Sequence, residues 1–385
     1  MLSPVSIVSL SSFSPLGTTP DEVWESYLDK KSCINNKVIG NNPVAVSSLN
    51  DAQLQEVQAL RNANAKYKSL DDSVLYAILA SRKAVKQAGW EHKDVFGINI
   101  GSSRGATGLF EQHHAAFINT GKTAVQSSPA TTLGNISSWV AQDLKSSGPD
   151  ISHSITCSTA LHALLNGVAW LRAGMADKFL IGGSEAPLTP FTVAQMQAMK
   201  IYSSLEGDYP CRAMDLQKSV NTMVLGEGAA SACLQAGSAT NAIASIEGIG
   251  YATELLEHSA SISANAECLR RSMQMALEGI DLKEIDAVVM HAPGTIKGDL
   301  SEYNAIKEVF GNNLPLLTGN KWKIGHTFGP SGLLSLELAL LMIKHNKFID
   351  AAFMPGGQDF QRPVKKVLVN AVGFGGNAVS VVIGQ

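Results

Sequence analysis

Residues 154–185, SITCSTALHALLNGVAWLRAGMADKFLIGGSE, carry the reading that decides the fold. Apolar residues recur at helical spacing after Cys157 until Gly174 stops them; a short connector leads into a strand ending in Gly-Gly and an acidic residue. A second segment, SGLLSLELALLMIKHNKFIDAAFMPGGQD at 331–359, reads the same way. Setting Gly182-Gly183 on Gly356-Gly357 gives an offset of 174, which also places Phe179 on Phe353 and Cys157 on Ser331. The chain therefore reads as a duplicated unit. Around these segments strands such as VSIVSL, VFGINIGSS and IDAVVM alternate with helices such as LDDSVLYAILASRKAVKQAG, the pattern of an α/β protein with helix-covered sheets. The stretch AGSATNA at 236–242 marks a boundary, after which IASIEGIGY restarts the pattern. The expected organisation is a half at 1–236 and a half at 237–385, forming one compact unit with equivalent helix N-termini near a shared pseudo-twofold axis.

Cys157 opens the first of these helices. A buried cysteine is ordinarily a small core hydrophobe. At a helix N-terminus, however, free N–H groups and the helix dipole favour a thiolate and can hold an acyl oxyanion, so a low thiol pKa is expected here. His291 begins HAPGTIKGD after an apolar strand, and His326 sits in the Gly-rich NKWKIGHTFGPSG just before the second repeat helix. Two histidines in strand-end loops beside a helix-start cysteine form a candidate catalytic constellation. His162, one turn inside the Cys157 helix, reads as structural, and His113-His114 lacks further ligands at metal spacing, so no metal is expected.

The 385 residues are 45% hydrophobic and 16% charged, an ordinary globular composition. A net charge of −3 without a dense basic block argues against nucleic acid as a partner. The five cysteines form no CxxC pair, which suits reduced thiols in a cytoplasmic protein. MLSPVSIVSLSSFSPLG makes a poor signal peptide, and the most apolar helix, LLSLELALLMI, carries Glu337 and is too short for a bilayer, so no membrane association is expected.

Five segments in order resemble the β-ketoacyl synthase family, of the elongating Cys-His-His type: TCSTALHA, VLGEGAA, HAPGTIKGD, NKWKIGHTFGPSG and VGFGGNA. The resemblance spans nearly the whole chain and implies a thiolase-like fold with duplicated α/β halves layered α-β-α-β-α. It implies that Cys157 takes an acyl group from the phosphopantetheine of acyl carrier protein, its carbonyl oxygen held by the N–H groups of Cys157 and Val372. Malonyl carrier protein would then decarboxylate with His291 and His326 assisting and Lys321 setting the electrostatics, giving a 3-oxoacyl product. A lysine in a Gly-rich loop can equally be an exposed solvated residue. Phe374 matches a gate to the acyl channel, Thr295 a pantetheine contact and Phe110 a channel-depth position, whose alternative is packing in the dimer core. Arg61, Lys66 and Lys68 match the carrier-docking region. No bound cofactor is implied, and the dimer is a homodimer or a pairing with a chain-length-factor-like subunit.

Three departures stand out: Pro293 replaces a threonine of the first histidine loop, Ser335 the glutamate expected nine residues after His326, and Asn377-Ala378 the usual Thr-Asn. The pathway implied is fatty acid synthesis or a specialised polyene or polyketide-like one, and these departures suggest a divergent branch serving the latter rather than housekeeping fatty acids. The rival reading is a non-catalytic or chain-length-determining partner subunit. A thiolase fits less well, because VGFGGNA carries no second cysteine, and the initiating ketosynthases normally replace one histidine.

Overall fold

The computed structural model describes residues 3–91, 93–133, 135–255, 262–354 and 363–385. Strand β1 (Val5–Phe13) is followed by a small sheet built from β2 (Asn35–Ile39), β3 (Asn42–Ser47) and the later β7 (Leu225–Gly226). The first half continues with β4 (Gly97–Gly101), β5 (Asp150–Ile151), β6 (Lys178–Glu185) and β8 (Gly228–Ala236). The second half supplies β9 (Ala244–Thr253), β10 (Ala287–Val289), β11 (Leu316–Thr318), β12 (Lys366–Gly373) and β13 (Asn377–Gly384).

The strand order β11-β10-β12-β13-β9-β1-β8-β6-β4-β5 reads the same outward from its centre in both directions. In each half the first strand pairs antiparallel with the last, and two parallel pairings finish the edge. The halves join through an antiparallel pairing of β1 with β9, Ser6 opposite Ser245, as a pseudo-twofold axis requires.

Alternation along the strands sets the layers. In β6, Phe179 and Ile181 face one core and Leu180 another; in β12, Val367 and Val369 face that same central core while Leu368 faces a third. The central core holds the helices Thr159–Arg172 and Ser331–His345, and the outer two are covered by Asp72–Ala88 and Glu267–Ala276. This is the five-layer thiolase-like arrangement. The two inner helices meet at their starts: Ala160 N–H donates to Gly329 O over 3.1 Å. A Cβ on Gly332 would stand 2.6 Å from Leu161 Cγ, so that close approach needs glycine.

The repeat alignment by Gly-Gly holds for the helices and fails for the strands. Sheet pairing sets Lys178 of β6 in the role of Lys366 in β12, since both pair with the far end of the next antiparallel strand. Phe353 stands in a turn against Tyr209 and Trp322 instead of matching Phe179, and Gly356-Gly357 lies outside the described residues. The second half carries extra chain between its inner helix and β12. Before Cys157 the chain is strand only at Asp150–Ile151.

Candidate active site

Cys157 occupies a 3₁₀ turn, Thr156–Ser158, that feeds the Thr159–Arg172 helix. Thr156 takes the left-handed region with φ 45°, a strained conformation for a branched residue. Thr159 Oγ1 holds the turn, donating to Thr156 O over 2.6 Å and accepting from Ile155 N over 3.0 Å. The loop after β12 presses on it from the other half: Thr156 Oγ1 donates to Phe374 O over 3.3 Å. A Cβ on Gly373 would fall 2.0 Å from Thr156 Oγ1 and 2.8 Å from the Ile155 carbonyl oxygen, which makes glycine obligatory there.

The thiol is buried, and burial pushes its pKa up to about 12, with the Glu185 carboxylate adding to the rise. The Lys321 charge and the N–H groups of Cys157 and Phe374 oppose it. This corrects the low pKa expected from the helix start: desolvation outweighs the N–H groups in the resting protein. It also corrects the second oxyanion donor. Val372 belongs to the β12–β13 ladder opposite Ala378, and the amide that reaches the sulfur is that of Phe374.

His291 and His326 arrive by different routes. Glu302, on the helix Ile296–Phe310, accepts from His291 N over 2.8 Å and Ala292 N over 2.7 Å, fixing the turn after β10. His326 N donates to Val224 O over 2.6 Å. The two rings stand edge to face, centroids 5.2 Å apart, and each Nδ1 is buried without a partner. Burial first, then the Lys321 charge, lowers both pKa values, that of His326 to about 3, so both imidazoles are neutral at neutral pH.

Lys321 is 1% exposed, which removes the reading of a solvated loop lysine. Its Nζ donates to Ser335 Oγ over 3.4 Å, where the family resemblance leads one to expect a carboxylate. Burial lowers its pKa to about 8 against the pull of Glu302 and Cys157. Lys218, which the sequence reading missed, pairs with buried Asp299 at 2.7 Å, and Asp299 also accepts from Gly294 N, locking the first histidine loop. Glu185 was missed too. It accepts from Ser103 N and Gly329 N and ties β6 to the loops on both sides of the nucleophile. Lys218 meets Asp299, and Glu185 meets Ser103 and Gly329, across stretches of 81 to 144 residues, so the chain offered no local signal for them.

A cavity of about 300 Å³ brings together Cys157, His291, His326, Thr295, Val372 and Phe374. Its apolar wall includes Met199, Ile201, Met223 and Phe328. Thr295 also caps its helix, accepting from Gly298 N over 3.1 Å. Lys321 lies behind this cavity, acting through charge. Phe110 does not border it: the ring is 60% exposed on the helix Thr107–Thr120 and stacks on His114. Arg61 bonds to Asp72 and the Leu70 carbonyl, so it is held on its own chain, whereas Lys66 and Lys68 are exposed. His162 hydrogen-bonds the Ser158 carbonyl over 3.1 Å and supports the turn.

A duplicated α/β fold whose halves meet at a cysteine and two neutral histidines defines the thiolase-like class. The chain belongs to the β-ketoacyl synthase family: that family's N-terminal domain matches residues 2–239 and its C-terminal domain residues 229–352. It is 27% identical over 407 residues to a 3-oxoacyl-[acyl-carrier-protein] synthase 2 of Staphylococcus aureus, covering 97% of this chain and 99% of that protein. To Nodulation protein E of Rhizobium sp. (strain N33) it is 26% identical over 359 residues, covering 88% and 86% respectively. Among solved structures, the ishigamide ketosynthase/chain length factor superposes with a TM-score of 0.87 at 19% identity over 100% of both chains. AntDE:AntF, a type II ketosynthase in complex with its acyl-carrier protein, gives 0.85 at 20% identity, also over 100% of both. Among the described residues no helix is long and apolar enough to cross a membrane.

Proposed function

We propose that this protein is an active condensing enzyme that joins malonyl carrier protein to an acyl chain on Cys157, releasing carbon dioxide and a 3-oxoacyl carrier protein. The observation that carries the reading is the convergence of Cys157, His291 and His326 on one cavity, with the Phe374 amide at the sulfur. A thiol of pKa about 12 must give up its proton as it attacks, and the Lys321 charge favours the thiolate that forms. The N–H groups of Cys157 and Phe374 then hold the thioester oxygen as the carrier thiol leaves with a proton. In the second stage the malonyl carboxylate leaves as carbon dioxide, and neutral His291 and His326 donate hydrogen bonds to the enolate oxygen. The enolate carbon attacks the acyl-cysteine carbonyl, and the cysteine sulfur departs and regains a proton.

Acyl carrier protein is the partner, docking over Lys66 and Lys68; Arg61, tied to Asp72, contributes less. Copies of the chain pair through the edge strand β5 and the apolar side chains exposed on the segment between β4 and β5, Phe110, Phe117, Ile118 and Val125. Such pairing covers Phe110 and gives it a place in a dimer core.

Intact-protein mass spectrometry with a series of acyl carrier proteins, beside Cys157→Ala, tests the reading. An acyl mass on Cys157 that malonyl carrier protein discharges as a longer 3-oxoacyl product is expected. A folded protein that no chain acylates overturns it in favour of a non-catalytic partner subunit.

A further inference from the structure

The Lys321 charge that favours the Cys157 thiolate is weakly held by its own hydrogen bond, which reaches Ser335 Oγ at 3.4 Å, the long limit for such a contact. Lys321 rides on a single helical turn, Lys321–Ile324, whose N-cap Asn320 makes no side-chain capping bond. One turn is too short to hold its shape alone, so contacts outside it set where that charge stands. Lys323, two residues on, supplies them. It is 1% exposed, and its Nζ donates to the carbonyl of Asp29 and, over 2.5 Å, to that of Lys31. Its own carbonyl accepts from Cys33 N over 2.9 Å. Asp29 caps the C-terminus of the helix Pro20–Leu28, where free carbonyls and the negative end of the dipole favour a cation. Between the two lysines, Trp322 packs against the rings of Tyr209 and Phe353, and the Tyr209 hydroxyl donates to Lys30 O over 2.9 Å. Residues 29–33 of the first half thus back a turn of the second. Burying an ammonium is costly unless its protons are taken up, and here they are spent on one segment of backbone.

We propose that Lys323 is a positioning residue for the nucleophile: by anchoring its turn to the end of the Pro20–Leu28 helix, it holds the Lys321 ammonium where its charge favours the Cys157 thiolate. The inference deepens the condensing reading, since it concerns the same thiol. Asp29 and Cys33 are the titratable groups beside Lys323. Glu185 and Lys321 face the thiol, and Glu302, Asp299, Cys211 and both catalytic-site histidines face Lys321. Lys323→Met leaves all of these groups in the chain and removes only the anchor.

Alkylation of Cys157 by iodoacetamide, read on its own peptide by mass spectrometry at about pH 7.5, where Lys321 is charged, tests this. Lys323→Met is expected to slow alkylation about 3-fold or more, and the double variant with Lys321→Met should be no slower than Lys321→Met alone, because both act through one charge. Tyr209→Phe, which loosens the same segment without touching either lysine, should slow it by about 2-fold. Alkylation of Lys323→Met at the parent rate, even with a lowered urea midpoint, overturns the proposal and leaves Lys323 a tether of the fold. So does a double variant slowed by the product of the two single effects. If Lys323→Met does not fold, Tyr209→Phe decides, and its alkylation at the parent rate refutes the proposal. Alkylation needs no carrier protein, so the expected pattern beside a thiol that no acyl carrier protein acylates would sink the condensing reading alone.

Discussion

At the scale of single residues, the site is governed by burial acting on charge. Lys321 keeps its ammonium only below about pH 8, and that charge lowers the thiol pKa. Cys157 acylation, followed by mass spectrometry at fixed times, is therefore expected to fall as pH rises past about 8. Lys321→Met should slow it by about 10-fold and remove that limb; an unchanged limb would assign the titration elsewhere. The histidines give the opposite dependence in stability. In the unfolded chain they take up protons below about pH 6.5, whereas folded His326 resists protonation until about pH 3. Stability should therefore be complete above pH 6.5 and fall as pH drops through that window, by about 1.4 kcal/mol per pH unit for each histidine. Urea midpoints at pH 7 and pH 5 check this, and His326→Asn should reduce the difference.

At the scale of elements, two glycines let separate pieces of backbone touch. Gly373 brings the loop after β12 against the Thr156 turn, and its replacement by Ala puts a carbon 2.8 Å from the Ile155 carbonyl as well as onto Thr156 Oγ1. Gly373→Ala is expected to cost acylation at least about 10-fold while leaving circular dichroism unchanged, because it displaces the Phe374 amide and little else. Wild-type acylation would refute the assignment of that amide. Gly332→Val sits deeper, between the two inner helices, and overpacking there should destabilise by about 1–3 kcal/mol in urea unfolding. The element scale is also where the sequence reading was only half right. The helix patterns of 159–172 and 331–345 were plain because apolar spacing is local, while the second strand was misplaced. A Gly-Gly pair marks a strand end only if its sheet partners exist. Gly183 earns its place by facing Gly329 and Pro330 across the interface, a constraint invisible along the chain.

At the scale of the molecule, the exposed side chains between β4 and β5 leave an apolar face, with Ile118 67% and Val125 90% exposed. Faces of this kind on a folded chain mark association. Sedimentation should give a dimer, and Ile118→Asp should shift it toward monomer at micromolar concentration; a monomeric parent protein would leave Phe110 exposed and without the role assigned to it. Joining the halves also sets how tightly the centre is packed. The Ser331–His345 helix is buried along nearly its whole length, which is why its acidic residue, Glu337, is forced toward neutrality.

By itself the sequence determined the duplication and the α/β alternation, and it singled out Cys157, His291 and His326, which the fold brings to one cavity, because hydrophobic period, Gly and Pro punctuation, and nucleophile context are all local. Only the tertiary structure decided that the Phe374 amide reaches the sulfur, since the loop after β12 comes from the other half of the chain. It alone decided that Lys321 is buried against Ser335 and that Phe110 stands outside the cavity of a single chain. It also reversed the expected thiol pKa. A helix N-terminus can be read from a few neighbouring residues, but desolvation depends on every element packed around the group, and those elements come from both halves of the chain.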